Sequence, residues 1–163
     1  EMSNGVAYCY ARVSTQMQAE DGMSLGAQER QLIASAEGAG YEAVILREEG
    51  RSGKSIQGRP VLRKALEDLD AGDAKALYVT RLDRLARSTR DFLSIIDRSN
   101  NNGWRLVMLD LGLDTTTANG RFVVTIMSAM AEMERGMISA RQKDVHQDRR
   151  EQGKVWGVDL GPK

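Results

Sequence analysis

Four short apolar runs alternate along the chain with longer segments in which apolar residues recur at helical spacing. The runs cover Val6–Val13 and residues 41–46, 76–80 and 104–111. Each run is short and is bounded by glycine or polar residues, which is typical of buried strands. The alternation of strands and helices predicts an α/β fold: a mostly parallel sheet of about four or five strands, flanked by helices and ending in a long protruding carboxyl-terminal helix.

Capping residues indicate where the intervening helices begin. Ser24 suits the N-cap of a first helix, because its hydroxyl can accept a hydrogen bond from a free backbone amide. Pro60 suits the first position of a second helix. Ser88 and Asp91 have the spacing of a capping box, so a third helix is expected over residues 89–100.

The carboxyl-terminal part of the sequence predicts one long helix. Residues 121–152 contain no proline and a single glycine, Gly136. Their apolar residues form one stripe: Phe122, Val123, Ile126, Met127, Met130, Met133, Met137 and Ile138. Roughly thirty helical residues span about 45 Å, which is longer than a domain of this size needs for its own core. We therefore expect the far end of the helix to pack on a partner.

These patterns divide the chain into three parts. Residues 1–120 are expected to form the α/β domain, and residues 121–152 the long helix. Residues 153–163 contain three glycines and a proline and are typical of the start of a linker.

Composition narrows the class of protein. The chain has 163 residues, of which 41% are hydrophobic and 28% charged, as expected for one globular domain with a core. No apolar run reaches membrane-spanning length and no charged-then-apolar leader occurs, which indicates a cytoplasmic protein without a membrane partner. The 23 basic side chains balance 23 acidic ones, which disfavours a protein that coats nucleic acid but allows a local arginine cluster.

Cysteine and histidine usage limits the metal and redox chemistry. Cys9 is the single cysteine and lies in the first apolar run, so a buried reduced thiol is expected. Together with the single histidine, His146, it cannot supply a structural zinc site.

Three successive strand ends carry residues suited to phosphate chemistry. They supply, in chain order, Arg12 and Ser14, then Glu48, Glu49 and Arg59, then Asp83, Arg84 and Arg87. The carboxyl ends of parallel strands meet at the edge of the sheet where α/β folds bind ligands. A hydroxyl among guanidinium groups suits attack on a phosphodiester, because the planar forks can stabilise the oxygens that gain charge without a metal.

Several features of this group stay open. Arg84 and Arg87 are three residues apart, so they share a face if the segment is helical. The serine proton needs an acceptor, and either Asp83 or a neighbouring arginine would have to assist. A simpler interpretation makes these arginines surface charges paired with nearby carboxylates, which is the commoner role of a single arginine. Three clusters at three successive strand ends weaken that interpretation.

Longer stretches of sequence carry a specific resemblance. They are Tyr10-Ala11-Arg12-Val13-Ser14, Arg59-Pro60, Leu82-Asp83-Arg84-Leu85-Ala86-Arg87-Ser88, Gly120-Arg121-Phe122 and Ala131-Glu132-Met133-Glu134-Arg135. In this order and at this spacing, over residues 6–141, the chain resembles the catalytic domain of the resolvase/invertase serine recombinases.

The resemblance implies a site-specific DNA recombinase that uses neither a metal nor ATP and has no cofactor. Ser14 resembles the nucleophile that cleaves and rejoins DNA phosphodiesters through a covalent phosphoserine link. Arginines at four positions match those that hold the scissile phosphate: Arg12, Arg59, Arg84 and Arg87. Three further positions match other catalytic residues of the family: Asp83, Gln18 and Arg135.

The resemblance also implies partners. They are double-stranded DNA, which would place the protein at the nucleoid, a second copy in a homodimer through the long helix, and further copies in a tetrameric synaptic complex. We expect the DNA-binding domain of the family to be missing from this chain, with residues 153–163 leading towards it.

The sequence departs from the family pattern in two places. Residues 18–28 form a longer loop than in the small resolvases, more similar to members with extended loops such as the large integrases and transposases. The small resolvases carry an aspartate where this chain has Glu48 and Glu49, and the sequence does not decide which glutamate corresponds.

Two other functions are considered. One is a catalytically silent, recombinase-like module that oligomerises and has a regulatory role at DNA. The fact that every recognised catalytic position is filled argues against it. The other is a small-molecule phosphotransferase of flavodoxin-like fold, for which the sequence offers no substrate pocket or metal motif.

Overall fold

The computed structural model describes residues 2–14, 24–49 and 58–151. Outside the described residues lie Gln18, the predicted loops at residues 15–23 and 50–57, and the predicted linker at 153–163. The chain divides into two compact units, Glu1–Thr125 and Ile126–Lys163. Among the described helices, none combines the length and the apolar character that a bilayer span requires.

A five-stranded sheet forms the centre of the first unit. Its strands are β1 (Val6–Val13), β2 (Glu42–Glu49), β3 (Ala76–Val79), β4 (Arg105–Met108) and β5 (Leu113–Asp114). They are arranged in the order β2-β1-β3-β4-β5, with the first four parallel and β5 antiparallel to β4. The predicted fold class, a mostly parallel sheet flanked by helices, is confirmed.

The strand bounds differ from the prediction in two places. β2 continues to Glu49 instead of ending at residue 46, because it pairs with β1 along its full length, up to Val13 opposite Glu49. The fourth predicted strand, residues 104–111, is wrong in its second half. Residues 109–112 form a turn in which Gly112 has a φ of +55°, and β5 follows within the predicted loop.

The helices between the strands begin where their capping residues predict. Helix α1 (Leu25–Gly38) follows Ser24, whose hydroxyl accepts a hydrogen bond from the Ala27 amide at 3.2 Å. Helix α2 (Pro60–Ala71) begins with Pro60. After the single turn α3 (Leu82–Leu85), helix α4 (Thr89–Asn102) is capped by the Ser88 hydroxyl, which accepts from the Asp91 amide at 3.1 Å.

Different helices cover the two faces of the sheet. Ala7 and Cys9 of β1 pack in one core cluster with Leu32 and Ala36 of α1. Tyr8 alternates with these strand residues, so it points to the opposite face, where its hydroxyl donates to Asp68 of α2 at 2.9 Å. Helix α2 therefore covers the face of the sheet opposite α1. Cys9 is fully buried, as predicted.

The final helix, α5 (Ala118–Glu151), has 34 residues and is the long helix that the sequence predicts, starting three residues earlier. The boundary between the two units falls inside it. Thr117, the residue before its first turn, is joined to β5 by hydrogen bonds from its amide and hydroxyl to the Asp114 carbonyl, at 3.0 and 2.8 Å. Helix α5 thus begins at the end of the sheet opposite β2.

Candidate active site

Ser14 lies directly after the last residue of β1 and is half-buried. Arg12 is the second-last residue of that strand and is paired in register with Glu48 of β2. Tyr10 precedes Arg12 by two residues, so both side chains extend from the same face of the sheet, the face that carries α2. The end of β1 therefore carries the hydroxyl of Ser14, the guanidinium of Arg12 and the phenol of Tyr10 at alternate positions along the chain.

Glu48 is the acidic residue at the centre of this site. Its side chain is 3% exposed, whereas Glu49 is exposed to solvent. One carboxylate oxygen, Oε1, accepts from the Tyr10 hydroxyl at 3.1 Å and from the Leu62 amide at 3.2 Å, and Oε2 accepts from the Val61 amide at 2.8 Å. The carboxylate thus satisfies two of the free amides at the start of α2. The sequence left the choice between Glu48 and Glu49 open, and the structure places Glu48 inside the site.

Arg59 occupies the N-cap position of α2 and is 2% exposed. Its Nη1 donates to the carbonyl of Leu85 at 2.7 Å and to that of Arg84 at 3.3 Å. Its buried Nε has no hydrogen-bond partner among the described residues. Arg59 therefore joins the beginning of α2 to the end of the single turn α3.

Arg84 is 4% exposed and lies within α3, which follows the carboxyl end of β3. The turn stops there because Ala86 has extended backbone angles, φ −140° and ψ 150°. As a result Arg87 leaves the turn and is exposed. From the sequence, Arg84 and Arg87 were expected to share a face only if the segment is helical. The helical turn ends before residue 87, so they do not share one.

Asp83 and Arg87 line a shallow cavity of about 320 Å³ at the carboxyl end of the sheet. The cavity is also lined by Arg81, Leu82, Ala86, Ser88, Thr89 and Asp110. Asp83 is paired with Arg81 at 3.2 Å, and both side chains are about half exposed, at 55% and 49%. Such a solvated pair is weak, so Asp83 can exchange its partner at little cost.

Three guanidinium groups lie within electrostatic reach of one another. Burial lowers the pKa of Arg12 first, and the positive charges of Arg59 and Arg84 lower it further. Tyr10 and Glu48 oppose this change. Burial and the neighbouring Glu48 carboxylate in turn raise the pKa of Tyr10, so this hydroxyl stays protonated and donates to Glu48. Three buried or half-buried cations around one carboxylate leave an excess of positive charge, which suits an anionic ligand.

The structure brings only part of the predicted site together. Arg12, Arg59 and Arg84 form one cluster at the carboxyl end of β1, whereas Asp83 and Arg87 line the adjoining cavity. Arg135 is exposed on α5 in the second unit. Gln18 lies outside the described residues.

Sequence reasoning missed the roles of Tyr10 and Glu48. The alternation of the strand indicated that Tyr10 shares a face with Arg12. No local signal gave the register that sets Glu48 opposite Arg12, because that pairing depends on contacts between strands far apart in the chain.

Comparisons with known proteins agree with this fold. The family model described as "Resolvase, N terminal domain" matches residues 7–155. The chain therefore belongs to the resolvase N-terminal domain family, and the resemblance predicted from its motifs is confirmed.

Two of the individual relatives are named as DNA-invertases. The chain is 38% identical over 148 residues to a probable DNA-invertase, y4cG, of Sinorhizobium fredii, which covers 91% of this chain and 44% of the relative. It is 39% identical over 109 residues to the DNA-invertase hin of Salmonella typhimurium, which covers 67% and 56%. The chain spans about half the length of the curated relatives it matches.

Solved structures share the architecture. The N-terminal catalytic domain of TP901-1 integrase is 34% identical, with a TM-score of 0.72 over 81% of this chain and 98% of that domain. A resolvase family site-specific recombinase from Streptococcus pneumoniae is 32% identical, with a TM-score of 0.69 over 91% of this chain and 99% of the other.

Proposed function

We propose that this chain is the catalytic domain of a serine site-specific DNA recombinase, in which Ser14 cleaves and rejoins DNA phosphodiesters through a covalent phosphoserine link. The observation that carries the proposal is the buried arginine cluster around the end of β1, with Arg12 two residues before Ser14. The family membership and the names of the relatives, DNA-invertases among them, support DNA as the substrate.

The cluster matches the charge that develops during phosphoryl transfer. A phosphodiester under attack by an oxygen carries negative charge on its non-bridging oxygens, and fixed guanidinium forks stabilise that charge without rearranging. Arg12 and Arg84 are the arginines proposed to contact the phosphate. Arg87, Asp83, Gln18 and Arg135 are proposed to complete the site once DNA is bound.

The proposed reaction exchanges one phosphate ester for another. The Ser14 hydroxyl loses its proton and its oxygen forms a bond to phosphorus, while the bond from phosphorus to one deoxyribose oxygen breaks and that oxygen takes up a proton. Attack by a deoxyribose hydroxyl on the phosphoserine reverses the step and restores DNA and serine. Because an ester is present at every stage, rejoining needs no ATP. Whether Asp83 or an arginine takes the serine proton stays open in this proposal.

We further propose that the chain acts as a homodimer, and as a tetramer when two DNA sites are paired. Residues 121–152 would form the dimerisation helix, residues 1–120 the catalytic part, and residues 153–163 a linker to a DNA-binding domain outside this chain. The second unit supports this division through apolar side chains on α5 that are 45–62% exposed: Ile126, Met130, Met133, Met137, Ile138 and Val145.

The decisive experiment is to trap the covalent intermediate. The full-length protein is incubated with genomic DNA of its host, denatured in detergent, and digested with nuclease and trypsin. Mass spectrometry should then find a nucleotide on the tryptic peptide 13–30, with fragmentation placing it at Ser14 rather than Ser24. The DNA recovered with the protein would define its site.

Ser14→Ala provides the control, and it should remove the adduct and all recombinant products. An adduct that persists in Ser14→Ala, or that maps to another residue, would contradict the assignment. Normal biological function of Ser14→Ala without any adduct would favour the silent regulatory module instead.

A further inference from the structure

Two buried charged side chains, Glu48 and Arg59, connect the elements around the arginine cluster. Glu48 belongs to β2 and Arg59 lies at the start of α2. They are 3% and 2% exposed, and Arg59 is among the largest fully buried side chains of the described residues. We call this pair, with the groups it bonds, the Glu48–Arg59 clasp.

The glutamate end of the clasp fixes where α2 begins. The Glu48 carboxylate accepts from the Val61 and Leu62 amides at 2.8 and 3.2 Å and from the Tyr10 hydroxyl at 3.1 Å. Three donors from two different elements hold it in one place. A carboxylate at a helix N-terminus also interacts favourably with the helix dipole.

The arginine end fixes where α3 ends. Arg59 Nη1 donates to the carbonyls of Leu85 and Arg84 at 2.7 and 3.3 Å. A helix of one turn has little stability of its own, since its first and last backbone groups lack partners within the turn. The position of α3, and of the Arg84 side chain that it carries, therefore depends on contacts from outside the turn.

We propose that Glu48 and Arg59 are positioning residues, which hold Arg84 in place for the scissile phosphate without touching the DNA themselves. Arg59 is enclosed by protein and its Nη1 is committed to two carbonyls, so its contribution to the site is its charge and its hold on α3. Glu48 also offsets the repulsion among the three guanidinium groups, as its opposition to the lowered pKa of Arg12 indicates. This inference rests on the proposed recombinase function.

The test compares Glu48→Gln with a matched change at the other end of the same helix. The glutamine oxygen can replace one carboxylate oxygen, but its amide nitrogen donates where the other accepts, so at least one backbone amide at the start of α2 loses its acceptor and the buried negative charge is removed. Asp70→Asn likewise removes one of the two carboxylate oxygens that accept from Arg98 and Trp104 near the end of α2, and it serves as the control. Both should destabilise the full-length protein, and only Glu48→Gln should affect the site.

The first readout is the single-turnover rate of the Ser14 adduct on the DNA site recovered above. We expect Glu48→Gln to lower the rate of adduct formation by the folded protein by at least about tenfold, because a small misplacement of a group that contacts the reacting phosphate is costly. The affinity for DNA should stay within about twofold of the wild type. Tyr10→Phe removes one of the three bonds to Glu48 and should slow it by about threefold. Asp70→Asn should form the adduct at the wild-type rate. Equal rates in Glu48→Gln and wild type would overturn the proposal.

A double-mutant cycle tests the route of the effect. If Glu48 acts through Arg84, Glu48→Gln should slow an Arg84→Lys protein by much less than it slows the wild type. If the two losses multiply, Glu48 acts independently of Arg84 and the positioning role is wrong.

A third readout does not depend on catalysis. Amide hydrogen exchange at residues 82–86 should become faster in Glu48→Gln and in Arg59→Lys, and stay unchanged in Asp70→Asn. Unchanged exchange in the first two variants would overturn the proposal even in a protein that never forms an adduct. A missing adduct in the wild type, by contrast, would count against the recombinase function alone.

Discussion

At the scale of single residues, the buried guanidinium groups beyond β1 are costly for the folded chain. Arg59 and Arg84 are 2% and 4% exposed, and one carboxylate, Glu48, is buried with them. Removing an ion from water costs several kcal/mol, and an opposite charge recovers only part of this. Arg12 adds a third positive charge nearby. An anion that enters this site binds favourably, because its negative charge offsets the excess of positive charge. This is the behaviour expected of a phosphate site.

The role of each of these residues could be predicted from the sequence only in part. Arg12 and Ser14 stand at a strand end, so their place at the edge of the sheet follows from local pattern. Arg59 was expected to hold phosphate, yet its Nη1 bonds to two backbone carbonyls. That difference depends on the packing of α2 against α3, which no local pattern encodes.

Gly120 tests how tightly α5 is joined to the sheet. A Cβ at this position would lie 1.9 Å from the Asp114 carbonyl oxygen, so the backbone has to move. We expect Gly120→Ala to lower the free energy of unfolding by about 3 kcal/mol. Urea unfolding followed by circular dichroism measures the change.

Gly136→Ala provides the matched control within the same helix. Nothing lies within 4 Å of a Cβ at this position. Alanine should therefore stabilise the helix by about 1 kcal/mol, because glycine is the poorer helix former. Similar effects of the two substitutions would contradict the close approach at Gly120.

Cys9 should be inert in the folded protein. Burial raises the pKa of its thiol to about 12, with a smaller contribution from the negative charge of Glu37. At pH 8 the thiolate that reacts with iodoacetamide is therefore scarce as well as shielded. We expect one alkylated site per chain in denaturant, since Cys9 is the single cysteine, and very slow alkylation without it. Rapid labelling of the native protein would show that β1 opens readily.

At the scale of elements, the helices were predicted more closely than the strands, for a physical reason. Ser24, Pro60 and Ser88 act on backbone groups within one turn of themselves, so the sequence contains the information. The end of β2 depends on pairing with β1, and β5 depends on its antiparallel contact with β4. The single turn α3 was not predicted, because the contacts at its end include hydrogen bonds from Arg59, which lies about 25 residues earlier in the chain.

The pair formed by Arg105 of β4 and Asp114 of β5 makes the edge of the sheet sensitive to pH. Burial alone would raise the pKa of Asp114, but hydrogen bonds from Arg105 and Thr116 outweigh it and hold this pKa below its usual value. The stabilisation is therefore complete above the pKa of an unfolded aspartate, about 3.9, and is lost as the pH falls through the lower pKa of the folded state.

Asp114→Asn should accordingly cost about 2 kcal/mol at pH 7, because Arg105 is left without its carboxylate. The difference from the wild type should shrink as the pH falls below about 4. Urea unfolding at pH 7 and at pH 3 measures both effects. Asp97→Asn on the exposed side of α4 is the control, with a change of less than about 0.5 kcal/mol expected at either pH. A deficit in Asp114→Asn that is independent of pH would exclude the carboxylate as its source.

At the scale of the whole molecule, the second unit carries an apolar surface suited to a partner. Ile126, Met130, Met133 and Met137 follow one another at intervals of four, three and four residues, and all are 45–62% exposed. Eleven residues in three intervals average about 3.7 residues, close to the 3.6 residues of a helical turn, so the four side chains form one seam along the helix on which a second helix can pack. Methionine is unbranched and polarisable, so it adapts to more than one arrangement of that seam. A second copy of the chain is therefore the partner that we propose.

The dimer can be tested by placing a charge in the seam. Met133→Lys puts an ammonium group where apolar side chains of two copies would meet, and we expect the dissociation constant of the dimer to rise by at least about tenfold. Ser139→Lys is the matched control, because residue 139 lies on the opposite side of the helix and adds the same charge. Sedimentation equilibrium over a range of concentrations, with the full-length protein, measures both.

Equal weakening of the dimer by the two substitutions would indicate a general charge effect. No weakening by Met133→Lys would place the partner surface elsewhere. Weakening by Met133→Lys alone would support the helix as the element that pairs the proposed catalytic sites, since each proposed serine nucleophile would cut one strand and a duplex would require two.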